Sequence, residues 1–125
     1  MTKKLVLAIE DNQDMRELIR LALRRNNNYE VKTVASAKEA FEFLSFQDIP
    51  AIILLDMNLS DMDGAEFMHK LKTVPKYQQI KVILVSGVDK ITSVSKEIGA
   101  DGFIKKPFEV SQFSTEVEKQ ATSSL

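Results

Sequence analysis

Short runs rich in β-branched residues alternate along the chain with longer segments in which apolar residues recur at helical spacing. This alternation predicts βαβ units around a parallel sheet. The second predicted strand, YEVKTV, alternates apolar and polar residues and is expected at an edge, whereas the other four are nearly continuous apolar runs typical of strands covered by helices on both faces. The predicted strands are Leu5 to Ile9, Tyr29 to Val34, Ala51 to Leu55, Lys81 to Val85, and Gly102 to Lys105.

Apolar stripes at i, i+3, i+4 and i+7 spacing predict five helices between and after the strands. The fourth helix has the weakest stripe and is expected to stop at Gly99. Ser36 and Glu39 have capping-box spacing before the second helix, and Asp63 and Glu66 offer a similar start to the third. The stripes consist of Met15, Leu18, Ile19, Ala22 and Leu23; Ala37, Ala40, Phe41 and Leu44; Phe67, Met68 and Leu71; Ile91, Val94 and Ile98; and Val110, Phe113 and Val117.

Five βα units with no composition break, repeat or linker predict one doubly wound α/β domain, a three-layer (βα)5 sandwich. The common strand order for five such units with right-handed crossovers is 2-1-3-4-5, which makes strands one and three central neighbours. Ligands in such sheets bind beyond the carboxyl ends of the strands. We expect the domain to span residues 1–121, followed by a frayed tail at 122–125 and no output domain in this chain.

Charge and composition exclude several classes of function. The 125 residues carry 17 basic and 18 acidic side chains, so no overall field attracts nucleic acid or an anionic membrane, despite a basic stretch formed by Lys70, Lys72, Lys76 and Lys81. The chain has no cysteine, which excludes disulfides and thiolate metal sites and fits a reducing cytoplasm. Because no apolar run approaches the ~18 residues of a membrane span, we expect a cytoplasmic protein.

Charged and hydroxyl side chains follow the predicted strands at the edge where ligands bind. Glu10 and Asp11 follow strand one and Asp56 follows strand three, so three carboxylates should converge, which would raise at least one pKa or weaken the fold. Mg²⁺ relieves such repulsion with oxygen ligands alone. Ser86 ends strand four and Lys106 follows strand five, and a hydroxyl donor and an ammonium suit a bound phosphoryl group.

The segments IEDN, LLDMNLSDMDG, VSG and GADGFIKKPF together resemble the receiver domain of two-component response regulators, over essentially the whole chain and in the right order. The resemblance implies a flavodoxin-like fold and a phosphoacceptor role for Asp56, with the phosphoryl group coming from a sensor histidine kinase or a phosphotransfer protein. It also implies Mg²⁺ bound by Asp11, Asp56 and the backbone carbonyl of Asn58, with Glu10 acting mainly through a metal-bound water.

The resemblance implies that Lys106 and the hydroxyl of Ser86 each contact an oxygen of the bound phosphoryl group. It implies a cis bond between Lys106 and Pro107, and it matches Phe103 to an aromatic residue whose rotamer reports phosphorylation at the surface of the fourth helix, fifth strand and fifth helix. Taken alone, Phe103 is more typical of an ordinary core residue. Gly87 is expected to leave room for the phosphoryl group.

Two residues depart from the commonest receiver pattern. Ser60 replaces a frequent proline, so we expect a more mobile loop after Asp56, and Ser86 replaces threonine but keeps the hydroxyl. Asp61 and Asp63 are rival acceptors, but they lie farther into the loop, and Asp63 is explained as a helix cap. The one histidine, His69, is interpreted as a solvated surface residue: its neighbours Lys70 and Lys72 are charged.

Three other functions are compatible with this fold class. A Mg²⁺-dependent aspartyl-phosphate phosphatase would usually want an acid two residues after the nucleophile, where this chain has Asn58. An FMN carrier would want a Ser/Thr/Gly-rich loop after strand one, which is missing, and the chain has no tryptophan to stack on a flavin. An unphosphorylated pseudo-receiver interaction module stays open, as do the downstream protein target and a phosphorylation-dependent homodimer.

Overall fold

The structure, a computed structural model, describes residues 3–25, 28–46, 48–87 and 91–122. Within these ranges, five strands alternate with five helices, and one 3₁₀ turn, Pro75–Tyr77, precedes the fourth strand. The elements are β1 (Lys4–Ile9), α1 (Gln13–Arg24), β2 (Tyr29–Val34), α2 (Ala37–Phe46), β3 (Ile52–Asp56), α3 (Gly64–Lys72), β4 (Lys81–Ser86), α4 (Ile91–Ile98), β5 (Gly102–Lys105) and α5 (Val110–Thr122). Thr122 therefore still belongs to α5, and the rest of the expected tail, 123–125, lies outside the described residues.

The strands form one parallel sheet in the order β2-β1-β3-β4-β5, which confirms the predicted doubly wound fold and the edge position of β2. The register aligns the carboxyl ends of the central strands. Ile9 pairs with Leu55, and Asp56 pairs with Val85 on the next strand. The residues that follow β1 and the last residue of β3 therefore lie side by side at the carboxyl end of the sheet.

Apolar side chains of β1, β3 and β4 pack in two layers, one on each face of the sheet. One face packs against α2 and α3, where Phe67 is completely buried and stacks on Phe41 with ring centroids 4.8 Å apart. The other face packs against α1 and α5, with Phe113 at its centre. These three strands match the expectation of cover on both faces.

Two expectations about burial are wrong. β5 is the second edge strand, and only Ile104 within it is buried, so it is not covered on both faces. Leu18 lies on the predicted stripe of α1 but is 37% exposed, because it borders an open groove next to Val110 at the start of α5. The weak stripe of α4 is only partly buried: Val94 and Ile98 are half-buried, Ile98 packs against the layer of α2 and α3, and the Ile91 side chain lies outside the described residues.

The predicted helix boundaries have the expected physical basis. The Ser36 hydroxyl accepts a hydrogen bond from the Glu39 N–H at 3.1 Å, and the Glu39 carboxylate accepts one from the N–H of Ala35, one residue earlier than in the usual capping box. Asp63 caps α3 by accepting from the Glu66 N–H at 2.8 Å. Gly99, at φ 79°, follows α4 in the left-handed region that glycine tolerates. Within the described ranges, every helix is too short or too polar to cross a bilayer.

An acidic site at the carboxyl end of the sheet

Three carboxylates meet at the carboxyl ends of β1 and β3. Glu10, Asp11 and Asp56 each offer one oxygen, and these oxygens lie within 4.8 Å of one another. Glu10 and Asp56 are only 3% and 5% exposed, whereas Asp11 faces solvent. The convergence expected from the sequence is therefore present, with two acids buried and the third at the opening.

Among the described residues, Lys106 is the only basic side chain that forms ion pairs with these acids. Its Nζ lies 3.3 Å from Glu10 Oε1 and 3.7 Å from Asp56 Oδ1. The backbone holds this lysine in place, because the Lys106 N–H donates to the Ser86 carbonyl at 2.8 Å. The peptide bond to Pro107 is cis, as the resemblance to receiver domains implied.

Burial and the neighbouring acid raise the pKa of Glu10 to about 7. Desolvation is the largest cause, followed by the hydrogen bond with Asp56 and by the charge of Asp56. The Asn12 N–H, 3.2 Å from Glu10 Oε2, and the Lys106 ammonium act in the opposite direction without cancelling the shift. Three carboxylates packed so closely therefore favour either a proton on Glu10 or a bound cation.

The loop that follows Asp56 folds back on itself. The Asn58 N–H donates to Asp56 Oδ1 at 3.1 Å, and Asn58 forms an antiparallel bridge with Asp63. The Gly64 N–H donates to the Met57 carbonyl at 3.1 Å, and a Cβ added to Gly64 would lie 3.3 Å from Met57 Cα, so glycine permits this close approach. Asp56, the candidate acceptor, is thus followed directly by a closed loop that spans residues 57–63.

Ser86, Gly87 and Phe103 occupy different environments. Ser86 is buried at the end of β4, beside the site. A Cβ on Gly87 would make only ordinary contact, 3.9 Å from Lys106 Cβ, so room for a phosphoryl group remains a prediction. Phe103 is 38% exposed, so the interpretation as an ordinary core residue is wrong: as part of an edge strand, it projects into an open pocket.

Three contacts around the site were not predicted from the sequence. Arg16 Nη1 on α1 donates to the Glu10 carbonyl at 2.8 Å, and Asn12 caps α1 by accepting from the Met15 N–H. Asp61 reaches from the loop after β3 to the start of α2. Asn12 carried a signal, because asparagine before an apolar helical stripe is a typical cap; Arg16 and Asp61 carried none. His69 is exposed on α3, as expected.

The donor set fits a hard divalent cation. All three candidate side-chain ligands are carboxylates, the class that Mg²⁺ prefers, and the exposed Asp11 leaves one side of the cluster open to solvent. Asp61 and Asp63 lie outside this cluster, where each caps a helix. Asp56 therefore lies among the candidate metal ligands, whereas the other two acids contact helix starts.

Comparison with known proteins points to one family. The model of the response regulator receiver domain matches residues 6–118. The chain is 26% identical to response regulator Rre1 of Synechocystis over 83% of its own length and 46% of that protein, and 33% identical to the rice two-component response regulator ORR7 over 82% and 49%. It thus spans about half the length of these curated relatives. The crystal structure of a phosphorylated cyanobacterial phytochrome response regulator, RcpA, superposes with a TM-score of 0.81 at 28% identity, covering 99% of this chain and 97% of that one.

Proposed function

Because this chain belongs to the response regulator receiver domain family, we propose that Asp56 accepts a phosphoryl group in a two-component or phosphorelay system. Receiver domains are signalling switches, and here the switch would be set by a sensor histidine kinase or a phosphotransfer protein. The observation that carries this proposal is the cluster of Glu10, Asp11 and Asp56 within 4.8 Å, with the Lys106 ammonium against it.

Asp56 is the nucleophile of the proposed transfer. One of its carboxylate oxygens attacks the phosphorus of a phosphohistidine, a P–O bond forms, and the P–N bond breaks with its electron pair returning to the imidazole nitrogen. The product is an acyl phosphate on Asp56. The Asn58 N–H, 3.1 Å from Asp56 Oδ1, holds the carboxylate in a fixed orientation for this attack.

The charge developed on the phosphoryl oxygens needs cations and hydrogen-bond donors. Mg²⁺ bound by Asp11, Asp56 and the Asn58 carbonyl, with Glu10 acting through a water, would supply positive charge there. Lys106, now in contact with Glu10 and Asp56, would exchange these contacts for a phosphoryl oxygen. The Ser86 hydroxyl would donate to another oxygen from the end of β4.

The proposed switch connects this site to the surface of α4, β5 and α5. A pocket of about 420 Å³ on that surface is lined by Phe103, Lys106 and Glu116, among others, so Lys106 borders both the pocket and the acidic site. Movement of Ser86 and Lys106 toward a phosphoryl group would change the space available to Phe103. A downstream protein, or a second phosphorylated copy, would read that change.

The decisive experiment incubates the full chain with a small phosphodonor and follows its intact mass. We expect a gain of one phosphoryl group that requires Mg²⁺ and disappears in chelator and in Asp56→Asn. Asp63→Asn is the matched control, because asparagine caps α3 as well as aspartate does, and it should keep the gain.

The opposite results identify the alternatives. No mass gain in the wild-type chain with Mg²⁺ would favour an unphosphorylated interaction module, and an undiminished gain in Asp56→Asn would place the acceptor elsewhere. Rapid turnover of the phosphodonor with release of phosphate would favour a phosphatase. The switch itself is tested by amide chemical shifts of α4, β5 and α5, which should change on phosphorylation; unchanged shifts there would refute it.

A further inference from the structure

The start of α2 is held by an acid 24 residues away in the chain. Asp61 Oδ1 accepts a hydrogen bond from the Ala37 N–H at 3.1 Å, and Asp61 Oδ2 accepts one from the Lys38 N–H at 3.0 Å. These backbone bonds and the positive end of the helix stabilise the charged carboxylate, and the Lys38 N–H is the main reason that the pKa of Asp61 is lowered. The contact is therefore made by the ionised form at neutral pH.

The local capping residues leave these two N–H groups to Asp61. Ser36 accepts from the Glu39 N–H, and Glu39 accepts from the Ala35 N–H. A helix start has several N–H groups without an internal partner. Here Ser36 and Asp61 divide them, the first from the same segment and the second from the loop that follows the phosphoacceptor candidate.

Asp61 lies in the closed loop spanning residues 57–63. The two arms of that loop are joined by the bridge between Asn58 and Asp63, and Leu59 is buried in the same apolar cluster as Ala37. Asp61 adds a polar attachment to the apolar one made by Leu59. Ser60 lies between the two attachments. They therefore oppose the loop mobility that was expected because Ser60 replaces a proline common in receivers.

We propose that Asp61 is a positioning residue for the acidic site, because its carboxylate fastens the loop carrying Asn58 to the start of α2. The inference deepens the proposed function and rests on it. Asn58 is one contact from the reacting group, since its N–H donates to Asp56 and its carbonyl is the expected metal ligand. Release of the loop would leave only the apolar packing of Met57, Leu59 and Met62 to hold it on the α2 side, and the Asn58 carbonyl would be less well fixed.

Ser36→Ala provides a matched control. Asp61→Ala and Ser36→Ala each remove hydrogen bonds from the same helix start, so both should lower the melting temperature. Only Asp61→Ala also detaches the loop. Asp61→Asn removes the charge but keeps one acceptor oxygen, so exchange midway between wild type and Asp61→Ala would show that one hydrogen bond holds part of the loop, whereas equally fast exchange in the two Asp61 variants would show that the attachment needs the charged carboxylate.

The first measurement is amide hydrogen exchange in chelator, which needs neither metal nor phosphoryl group. We expect faster exchange at Asn58 and Gly64 in Asp61→Ala and wild-type rates there in Ser36→Ala. The second is a Mg²⁺ titration followed by amide chemical shifts. Asp61→Ala should raise the Kd on the order of 10-fold, the low end for groups that orient metal ligands, and Ser36→Ala should leave it unchanged.

The two proposals fail in different ways. Equal exchange and equal Mg²⁺ affinity in Asp61→Ala and Ser36→Ala would overturn the positioning role. A wild-type chain that binds no Mg²⁺ and accepts no phosphoryl group would overturn the proposed function. The exchange comparison would still decide whether Asp61 fastens the loop.

Discussion

The middle of β3 and its carboxyl end are both buried, but they act on stability in opposite directions. Ile53 and Leu55 are completely buried and apolar, and each contributes about 1.5–3 kcal/mol by leaving water. Asp56 follows them and is almost as buried, yet it faces Glu10, and burial disfavours the charged form of Glu10. The same strand therefore stabilises the fold along its length and places a carboxylate against a second buried acid at its end, an arrangement that a bound cation would relieve.

The largest effect should come from the apolar layer. Phe67→Ala removes a completely buried ring that stacks on Phe41, and it should lower the free energy of unfolding by about 3–5 kcal/mol, measured by denaturant titration. Phe46→Ala is the matched control. Phe46 is 84% exposed, so its loss should change stability by less than about 0.5 kcal/mol. Similar losses in both variants would contradict the assigned core.

The next effect is a pH dependence at the strand end. Because the pKa of Glu10 is raised from 4.5 to about 7 in the folded chain, the folded state binds more protons than the unfolded state between these values. Metal-free stability should therefore be highest below pH 4.5 with respect to this group and should fall by on the order of 3 kcal/mol as pH rises to 7. Denaturant titrations in chelator across this range measure it.

Glu10→Gln isolates this contribution. The variant has no group to ionise at this position, so the decrease between pH 4.5 and 7 should largely disappear. Glu39→Gln controls for the general loss of a carboxylate, because Glu39 is an exposed acid away from the site. A Glu10→Gln profile parallel to the wild type would place the pH dependence on other groups.

A smaller change of opposite sign should follow neutralisation of Asp56. In chelator, Asp56→Asn should raise the free energy of unfolding by about 1–2 kcal/mol, because it removes repulsion from Glu10 that outweighs the 3.7 Å contact with Lys106. The pKa of Glu10 should also fall. Excess Mg²⁺ should favour the wild type instead, since only that chain keeps all the proposed ligands. Unchanged or lower melting in chelator would contradict this.

The smallest effect on stability should come from the loss of a buried hydroxyl that already has a hydrogen-bond partner. The Tyr77 hydroxyl donates to the Leu44 carbonyl at 3.0 Å, away from the acids. Tyr77→Phe should cost about 1 kcal/mol by thermal unfolding, whether or not Mg²⁺ is present. A metal-dependent loss would show that this hydrogen bond is coupled to the site. Together with Asp56→Asn, this variant compares a neutral paired group with a charged crowded one.

The sequence predicts the elements of this fold well because periodicity reports directly on burial. The stripe containing Phe67 and Leu71 and the runs of β1, β3 and β4 are all buried as expected. Strand order came from general rules of connection and not from any residue pattern. The predictions of burial fail where the surrounding elements, and not the local pattern, set the exposure. Leu18 and Phe103 are apolar, but Leu18 borders an open groove and Phe103 lies on an edge strand, so both side chains are exposed.

The acidic site was predictable because acids that follow adjacent parallel strands must meet. To predict that Glu10, Asp11 and Asp56 converge, only the strand boundaries and the order of the strands in the sheet were needed. The contact between Asp61 and α2 joins segments 24 and 23 residues apart, and no local spacing indicates it. The roles of Ser86 and Phe103 rest on resemblance to the family, and their positions in the structure leave those roles as predictions.

Lys106 gives the acidic site a tethered counter-ion of its own. Its ammonium is supplied by the chain and held beside Glu10 and Asp56 by a backbone hydrogen bond at the end of β4. When divalent ions become scarce, the carboxylates do not face one another without compensation. If magnesium binds there as proposed, we expect the protein to remain folded when the ion is lost and to bind it again when it returns.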